Sequence, residues 1–280
     1  MWKIKAPAKI NLFLEVGKKE NSLHPIISLV DIISLYDYIY VKKSKKTNIK
    51  FISKWEIPEE NTVSKLISVL KKNFNFEVEI IIEKKIPPGT GLGGGSSDAG
   101  ITLLFINKIF NLGLKMNDLI EIAKKIGSDV PLFLYGKRCI IKKFGEEVSI
   151  CDDFKLYYLL LIPKFSVKTK DVYDKFDEIG EFGNLTYALE RVRILIDEIK
   201  NGNISRIEEM MFNRLEEACY KIKNEIKEVK DEVERKIGKK FFLSGSGGVL
   251  FSIFKEKEEV GEIKKRLKLG NWRKVEVESI

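Results

Sequence analysis

Residues 87–98 read Pro87-Pro88-Gly89-Thr90-Gly91-Leu92-Gly93-Gly94-Gly95-Ser96-Ser97-Asp98, with five glycines among the seven positions from 89 to 95. A strand-like stretch, Glu77 to Glu83, leads into this loop, and a strongly apolar segment predicted as a helix from Ser97 to about Leu112 follows it. Glycine-rich backbone lets N–H groups converge on one point. A helix start adds unpaired donors and the positive end of its dipole. These are the needs of a phosphate chain, with the Ser96 and Ser97 hydroxyls available to phosphate oxygens or magnesium. The pattern is not GxxxxGK[ST], so a P-loop nucleotide site is excluded here. A plain hairpin or linker is the structural alternative. If the loop holds phosphate, a side chain at Gly94 is expected to enter the phosphate path.

Working outward, three more segments carry possible chemistry. In Ala6-Pro7-Ala8-Lys9-Ile10-Asn11-Leu12, Lys9 and Asn11 fall on one side of an otherwise apolar strand. A lysine buried there requires a carboxylate or phosphate partner, whereas one at a strand edge would simply reach solvent. Gly127-Ser128-Asp129-Val130-Pro131 sets an aspartate between a helix end and a strand, where alone it reads as a turn residue. Leu243-Ser244-Gly245-Ser246-Gly247-Gly248 forms a second glycine cluster between two strands, either a hairpin turn or a place where backbone approaches a ligand.

The remaining pattern mixes strands and helices without regular βα alternation, which predicts an α+β fold in both halves. Residues 1–16 and 36–52 carry strand signals. A helix is expected after Asn61, capped by its side chain and burying Val63, Leu66, Ile67 and Leu70. Asn117 to Ile126 reads as a helix, and Val130 to Lys143 as two strands around a turn at Gly136. A soft boundary near residue 153 divides the chain into segments 1–153 and 154–280. In the second, Leu156 to Ile162 opens as a strand, and helices follow near 186–200, 203–219 and 221–237. Strands at 241–244, 249–254 and 273–278, with a helix between 258 and 267, complete it.

Composition narrows the function classes. The 280 residues, 44% hydrophobic and 32% charged, describe a globular chain that needs no disulfide or metal staple. Cys139, Cys151 and Cys219 lie far apart with one histidine, His24, so neither a zinc site nor a disulfide framework is expected and a reducing cytoplasm is the default. No apolar run approaches a membrane span. Net charge is +9, concentrated in residues 1–140, where 22 basic less 14 acidic residues leave +8. Such a half attracts anions, either nucleic-acid phosphates or small phosphorylated ligands. The basic residues alternate with acids and lack aromatic interleaving, which disfavours an RNA-binding module.

Together, Pro7-x-Lys9-x-Asn11, the 87–98 loop and Ser244-Gly245-Ser246-Gly247-Gly248 resemble the GHMP kinase superfamily. The Ala-Lys-Ile-Asn-Leu opening, His24, Gly127 to Pro131 and Val167-Lys168-Thr169-Lys170-Asp171-Val172-Tyr173 are similar to its branch acting on a cytidine-diphosphate-linked methylerythritol. Homoserine- and mevalonate-type kinases are the alternative within the superfamily. The resemblance implies a two-domain fold, with an N-terminal ribosomal-protein-S5-like domain and a C-terminal ferredoxin-like α/β plait. It also implies ATP, with nucleotide-borne Mg2+, and phosphorylation of a hydroxyl on a small cytidine-diphosphate substrate. Neither a nucleic acid nor a membrane is an expected partner, and the chain is expected to be a monomer or homodimer. By the same resemblance Asp129 is the catalytic base and Lys9 its partner. Pro88, Gly89, Gly91, Leu92, Gly93, Gly94, Gly95, Ser96 and Ser97 hold the nucleotide, with Asn61 and Lys84 at its adenosine. Asn11, His24, Tyr173, Ser244, Gly245 and Gly247 meet the substrate, and no residue is assigned as a metal ligand. Leu23 stands where the family has an aromatic residue, so one wall around the cytosine is aliphatic here.

Overall fold

The computed structural model describes residues 1–151 and 154–280. The chain runs β1 (Trp2–Val16), β2 (Ile26–Lys43), β3 (Asn48–Ile52), α1 (Thr62–Lys71), β4 (Val78–Glu83), α2 (Gly94–Ile109), α3 (Met116–Ile126), α4 (Val130–Tyr135), β5 (Cys139–Lys143) and β6 (Glu147–Ile150). It continues through β7 (Tyr157–Ile162), α5 (Thr169–Ile179), α6 (Leu185–Asn201), α7 (Ile204–Met210), β8 (Phe212–Asn213), α8 (Glu216–Ile222), α9 (Asn224–Ile237), β9 (Phe242–Leu243), β10 (Leu250–Phe254), α10 (Lys257–Arg266) and β11 (Arg273–Glu278). The expected boundary at 153 falls on 152–153, outside the described residues.

The first sheet has the order β3-β4-β2-β1-β8, with β5 on the opening residues of β2 and β6 beyond it. The second has the order β11-β7-β10-β9. Most strands pair antiparallel, as the α+β reading expects. Helices α1 to α4 cover one side of the first sheet through Leu66, Leu70, Leu103, Ala123 and Leu134. The α1 expectation holds: Asn61 accepts from the Val63 and Ser64 N–H groups, and Val63, Leu66, Ile67 and Leu70 are all buried. A core containing Ile10, Phe13, Leu160, Val192 and Phe251 joins the two sheets.

Two register shifts in the β1–β2 ladder, at Pro7/Ala8 and at Asn11/Phe13, bracket Lys9 to Asn11. Proline brings no N–H to a ladder, and irregularities of this kind bend a strand and re-aim its side chains. The Lys9 N–H bonds outward instead, to the Leu92 carbonyl in the glycine loop at 3.0 Å. A sequence-local interruption thus brings two distant motifs together.

Three expectations need correction. Val130–Tyr135 is a helix, not a strand: Pro131 sits in its first turn, where no N–H is needed, and its buried Val130, Leu132, Phe133 and Leu134 leave no period to separate helix from strand. The expected 203–219 helix is interrupted because Phe212 and Asn213 pair in parallel with Phe13 and Leu14. Arg214 fixes that break with two hydrogen bonds to Glu15, at 2.6 and 3.0 Å. Finally, α2 begins at Gly94 rather than Ser97, which brings the last glycines into its first turn.

Candidate active site

The glycine loop closes onto α2 through Gly93, whose left-handed φ of 69° ends the loop and whose carbonyl accepts from the Ser97 N–H at 2.9 Å. The N–H groups of an opening helical turn have no partner within the helix. Here that turn, Gly94, Gly95 and Ser96, lines a cavity of about 670 Å³. Thr62 at the start of α1 braces it by donating to the Gly95 carbonyl at 2.6 Å. A Cβ at Gly94 would meet the buried Ile86 side chain at 2.8 Å, so an added side chain there would press on the core behind the loop.

The second glycine cluster is the β9–β10 turn, and it packs directly on the first. Ser244 Oγ donates to the Gly91 carbonyl at 3.1 Å, and the Val249 N–H donates to the Thr90 carbonyl at 3.3 Å. Asn213, on the interrupted segment, holds that turn by donating to the Leu243 and Gly245 carbonyls, each at 2.8 Å. Gly245 and Ser246 therefore reach the cavity, and Ser246 Oγ lies 2.9 Å from Thr169 Oγ1 at the start of α5.

On the cavity floor, Lys9 Nζ donates to Asn11 Oδ1 at 2.6 Å and lies 3.8 Å from Asp129 Oδ2. Asn11 Nδ2 donates to Ser28 Oγ, and that hydroxyl donates to the Phe13 carbonyl, so the amide orientation is fixed from below. Burial lowers the Lys9 pKa, and the Asp129 carboxylate opposes the shift. Asp129 precedes α4 without capping it, which leaves its oxygens free of that duty. Its side chain is 37% exposed against 6% for Lys9, so an ammonium fixed in the wall faces a carboxylate reachable from the cavity.

At the far end, Leu23 presents 57% of its surface. Tyr173 also lines the cavity, and its hydroxyl is pushed up by burial and by the nearby Asp129 charge. His24 is buried among Tyr173, Phe176 and Phe182, with ring centroids 5.3, 5.6 and 6.2 Å away. Its Nδ1–H donates to the Gly17 carbonyl at 2.9 Å, and Nε2 lies 3.1 Å from Asp177. Nδ1 is thus engaged with the backbone, while Nε2 is buried near Asp177 without a hydrogen-bond partner among the described residues.

Of the residues singled out from sequence, Lys9, Asn11, His24, Pro88, Gly89, Gly91, Gly93, Gly94, Gly95, Ser96, Asp129, Tyr173 and Gly245 line this one cavity. Leu92, Ser97 and Ser244 are buried behind it, and Gly247 packs on Cys219. Asn61 turns its amide to the Pro58 and Glu59 carbonyls as well as capping α1, so its side chain organises the helix start. Lys84 is also withdrawn from the cavity, in ion pairs with Asp37 and, at 2.6 Å, with Asp98. Phe144, Thr62 and Asp174 also line the cavity and were not singled out. Thr62 and Asp174 each adjoin a residue that was singled out, Asn61 and Tyr173, whereas Phe144 has no such neighbour.

The Asp37–Lys84–Asp98 cluster sits under the first turns of α2 and ties it to the incoming loop, since Asp37 also accepts from the Ile86 N–H at 2.8 Å. Two carboxylates share one ammonium there. Asp98 is raised from 3.8 to about 7, chiefly by burial, with Lys84 opposing and Asp37 adding to the rise. The folded state then binds more protons than the unfolded state between about pH 4 and 7, so the contribution of this group to stability declines as pH rises through that window. Relative to Asp98→Asn, the parent melting temperature is expected to drop by several degrees between about pH 5 and 8, given about 2–4 °C per kcal/mol at this size. Scanning fluorimetry across that range checks it; a constant difference would mean that Asp98 is ionised throughout.

The chain matches the N-terminal GHMP kinase domain over residues 61–137 and the C-terminal GHMP kinase domain over 195–271. It is similar to the 4-diphosphocytidyl-2-C-methyl-D-erythritol kinase of Thermoanaerobacter pseudethanolicus, at 33% identity over 95% of this chain and 92% of that one. A second relative of the same name, from Thermodesulfovibrio yellowstonii, is 36% identical over 97% and 95%. A crystal structure of 4-(cytidine 5'-diphospho)-2C-methyl-D-erythritol kinase superposes with a TM-score of 0.80 at 26% identity, covering 99% of both chains. Full-length likeness at this identity, with both domain models in chain order, places the protein in the GHMP kinase superfamily, as a member of its 4-diphosphocytidyl-2-C-methyl-D-erythritol kinase family.

Proposed function

We propose that the protein transfers the γ-phosphoryl group of ATP to the 2-hydroxyl of 4-diphosphocytidyl-2-C-methyl-D-erythritol, a step in the non-mevalonate route to isoprenoid precursors. The family assignment supports this, and one observation carries it at the level of chemistry. Lys9 and Asp129 face each other at 3.8 Å in the cavity that also receives the first turn of α2. The anion-binding helix start and the acid–amine pair are thus built into one space.

In this reading the triphosphate lies along Gly89 to Ser96, with the α2 dipole and backbone donors turned to its oxygens. Asp129 accepts the proton of the acceptor hydroxyl as its oxygen bonds to the γ-phosphorus and the bond to the bridging β-phosphate oxygen breaks, releasing ADP. Lys9 faces that carboxylate at 3.8 Å and neutralises charge gathering on the transferred group. Asn11 holds Lys9 in place, and Tyr173 and Leu23 flank the pyrimidine. The nucleotide base falls toward Thr62, Pro87 and Pro88. The described residues include no cluster of three or more carboxylate, histidine or cysteine groups. A magnesium ion brought in by the nucleotide could take a hydroxyl oxygen from Ser96, which lines the cavity.

No helix among the described residues is long and apolar enough to cross a membrane. Separately, the three free cysteines, Cys139, Cys151 and Cys219, support our assignment of the enzyme to a reducing cytoplasm. Purified protein with ATP, magnesium and a panel of acceptors tests the reading. ADP formation dependent on the cytidine-diphosphate methylerythritol, with homoserine and mevalonate inert, is the expected result. Turnover of either alternative acceptor alone would replace this substrate assignment.

A further inference from the structure

Phe144 lines the cavity yet has no part in the chemistry above. Among the described residues its half-buried ring belongs to no hydrophobic cluster and pairs with no other aromatic ring. An aromatic surface left facing a cavity is an energetic liability until something apolar covers it.

Its position is fixed on both flanks. Phe144 stands at the tip of the β5–β6 hairpin, after Lys143 with φ 59° and before Gly145 with φ 106°. Gly145 lies so close to the preceding loop that a Cβ would approach the Ser128 carbonyl oxygen to 2.6 Å. The tip is therefore seated beside Ser128, the neighbour of Asp129. On the other flank, Lys143 pairs with Ile26 as the last rung of the β2–β5 ladder, and Phe144 lines the cavity together with Leu23, His24 and Ser128. The ring thus faces the same cavity as the residue placed as base and the residues placed around the pyrimidine.

We propose that Phe144 is a specificity-determining residue that packs on the carbon skeleton of the acceptor, between its reacting hydroxyl and its pyrimidine. This rests on the kinase reading given above. The class of acceptor favoured is a nucleoside-diphosphate polyol with an apolar branch, since a methyl group offers carbon surface to the ring where an unbranched polyol offers mostly hydroxyls. Leu23, aliphatic and largely exposed, gives the acceptor little enclosure by itself, so the Phe144 ring takes a larger share.

The test compares Phe144→Ala and Phe144→Leu with the parent for KM, kcat and melting temperature, and measures inhibition by CDP, which lacks the polyol. Phe144→Ala is expected to raise the acceptor KM about 10-fold, equivalent to about 1.4 kcal/mol, while the ATP KM stays the same and kcat changes less than about 3-fold. Phe144→Leu should recover most of the loss, and CDP should inhibit both variants as it does the parent. An unchanged acceptor KM in an otherwise active enzyme would overturn the proposal, as would an equal loss of CDP affinity, which would put the ring on the nucleotide portion. A parent enzyme inert toward this acceptor would instead refute the kinase reading. If Phe144→Ala melts well below the parent, the comparison rests on Phe144→Leu and Phe144→Ser.

Discussion

Asp129→Asn is expected to fold like the parent and to lose phosphoryl transfer by at least about 100-fold. The substitution is isosteric, and the carboxylate it removes makes no capping bond to α4 and is more than one-third exposed. Little stability rests on it. Its chemical consequence is larger, because an amide oxygen cannot take up the acceptor proton at neutral pH. The charge that opposes the downward shift on Lys9 also disappears with the carboxylate, since burial lowers that ammonium and Asp129 raises it. In Asp129→Asn, Lys9 should therefore lose its proton at a lower pH than in the parent, and residual activity should fall off earlier on the alkaline side. Steady-state rates with both substrates, taken alongside melting temperatures, check the first expectation; a pH profile checks the second. Turnover within about 10-fold of the parent would remove Asp129 from proton transfer.

Much of this arrangement was legible because it depends on local rules. Asn61 followed by an i, i+3, i+4 stripe specifies α1, and the glycine run before an apolar helix specifies a loop that leads into α2 and lines the cavity. Lys9 and Asn11 share a side because strand side chains alternate. What stayed hidden depends on long-range pairing. Nothing in Met211 to Leu215 announces a strand, because Phe212 and Asn213 are extended only by the edge of β1. Val130 to Tyr135 lacks a period because the helix is buried all round. The partners of His24 come from α5 and the loop after it, some 150 residues away, so its enclosure could not be read from its own neighbours. The family resemblance set Lys84 at the adenosine; its partners in the structure, Asp37 and Asp98, come from β2 and α2.

Gly91→Ala is expected to abolish most activity and to lower stability, a harsher outcome than that of any other single methyl addition in the loop that faces open cavity. Gly91 has φ 80°, and a Cβ there would be driven into the carbonyl oxygen of Ser244, far inside van der Waals contact. Neither partner can yield easily. The Gly91 carbonyl is held by Ser244 Oγ, and the backbone on the other side is held by the Asn213 amide through Leu243 and Gly245. Relief requires the two glycine clusters to part, which would move the phosphate-facing loop away from Lys9, whose N–H bonds the Leu92 carbonyl one residue further on. Both the ATP KM and kcat should therefore suffer, kcat by about 100-fold or more, because a displacement of about 1 Å at reacting groups has that order of effect. Gly95→Ala is the control. A Cβ at Gly95 would meet only Thr62 Oγ1 at 3.3 Å, and the residue lines the cavity, so that variant should keep its melting temperature and chiefly raise the ATP KM. Melting curves and steady-state kinetics on the pair distinguish the two effects; normal kcat in Gly91→Ala would show that the seam between the clusters does not position the phosphate chain.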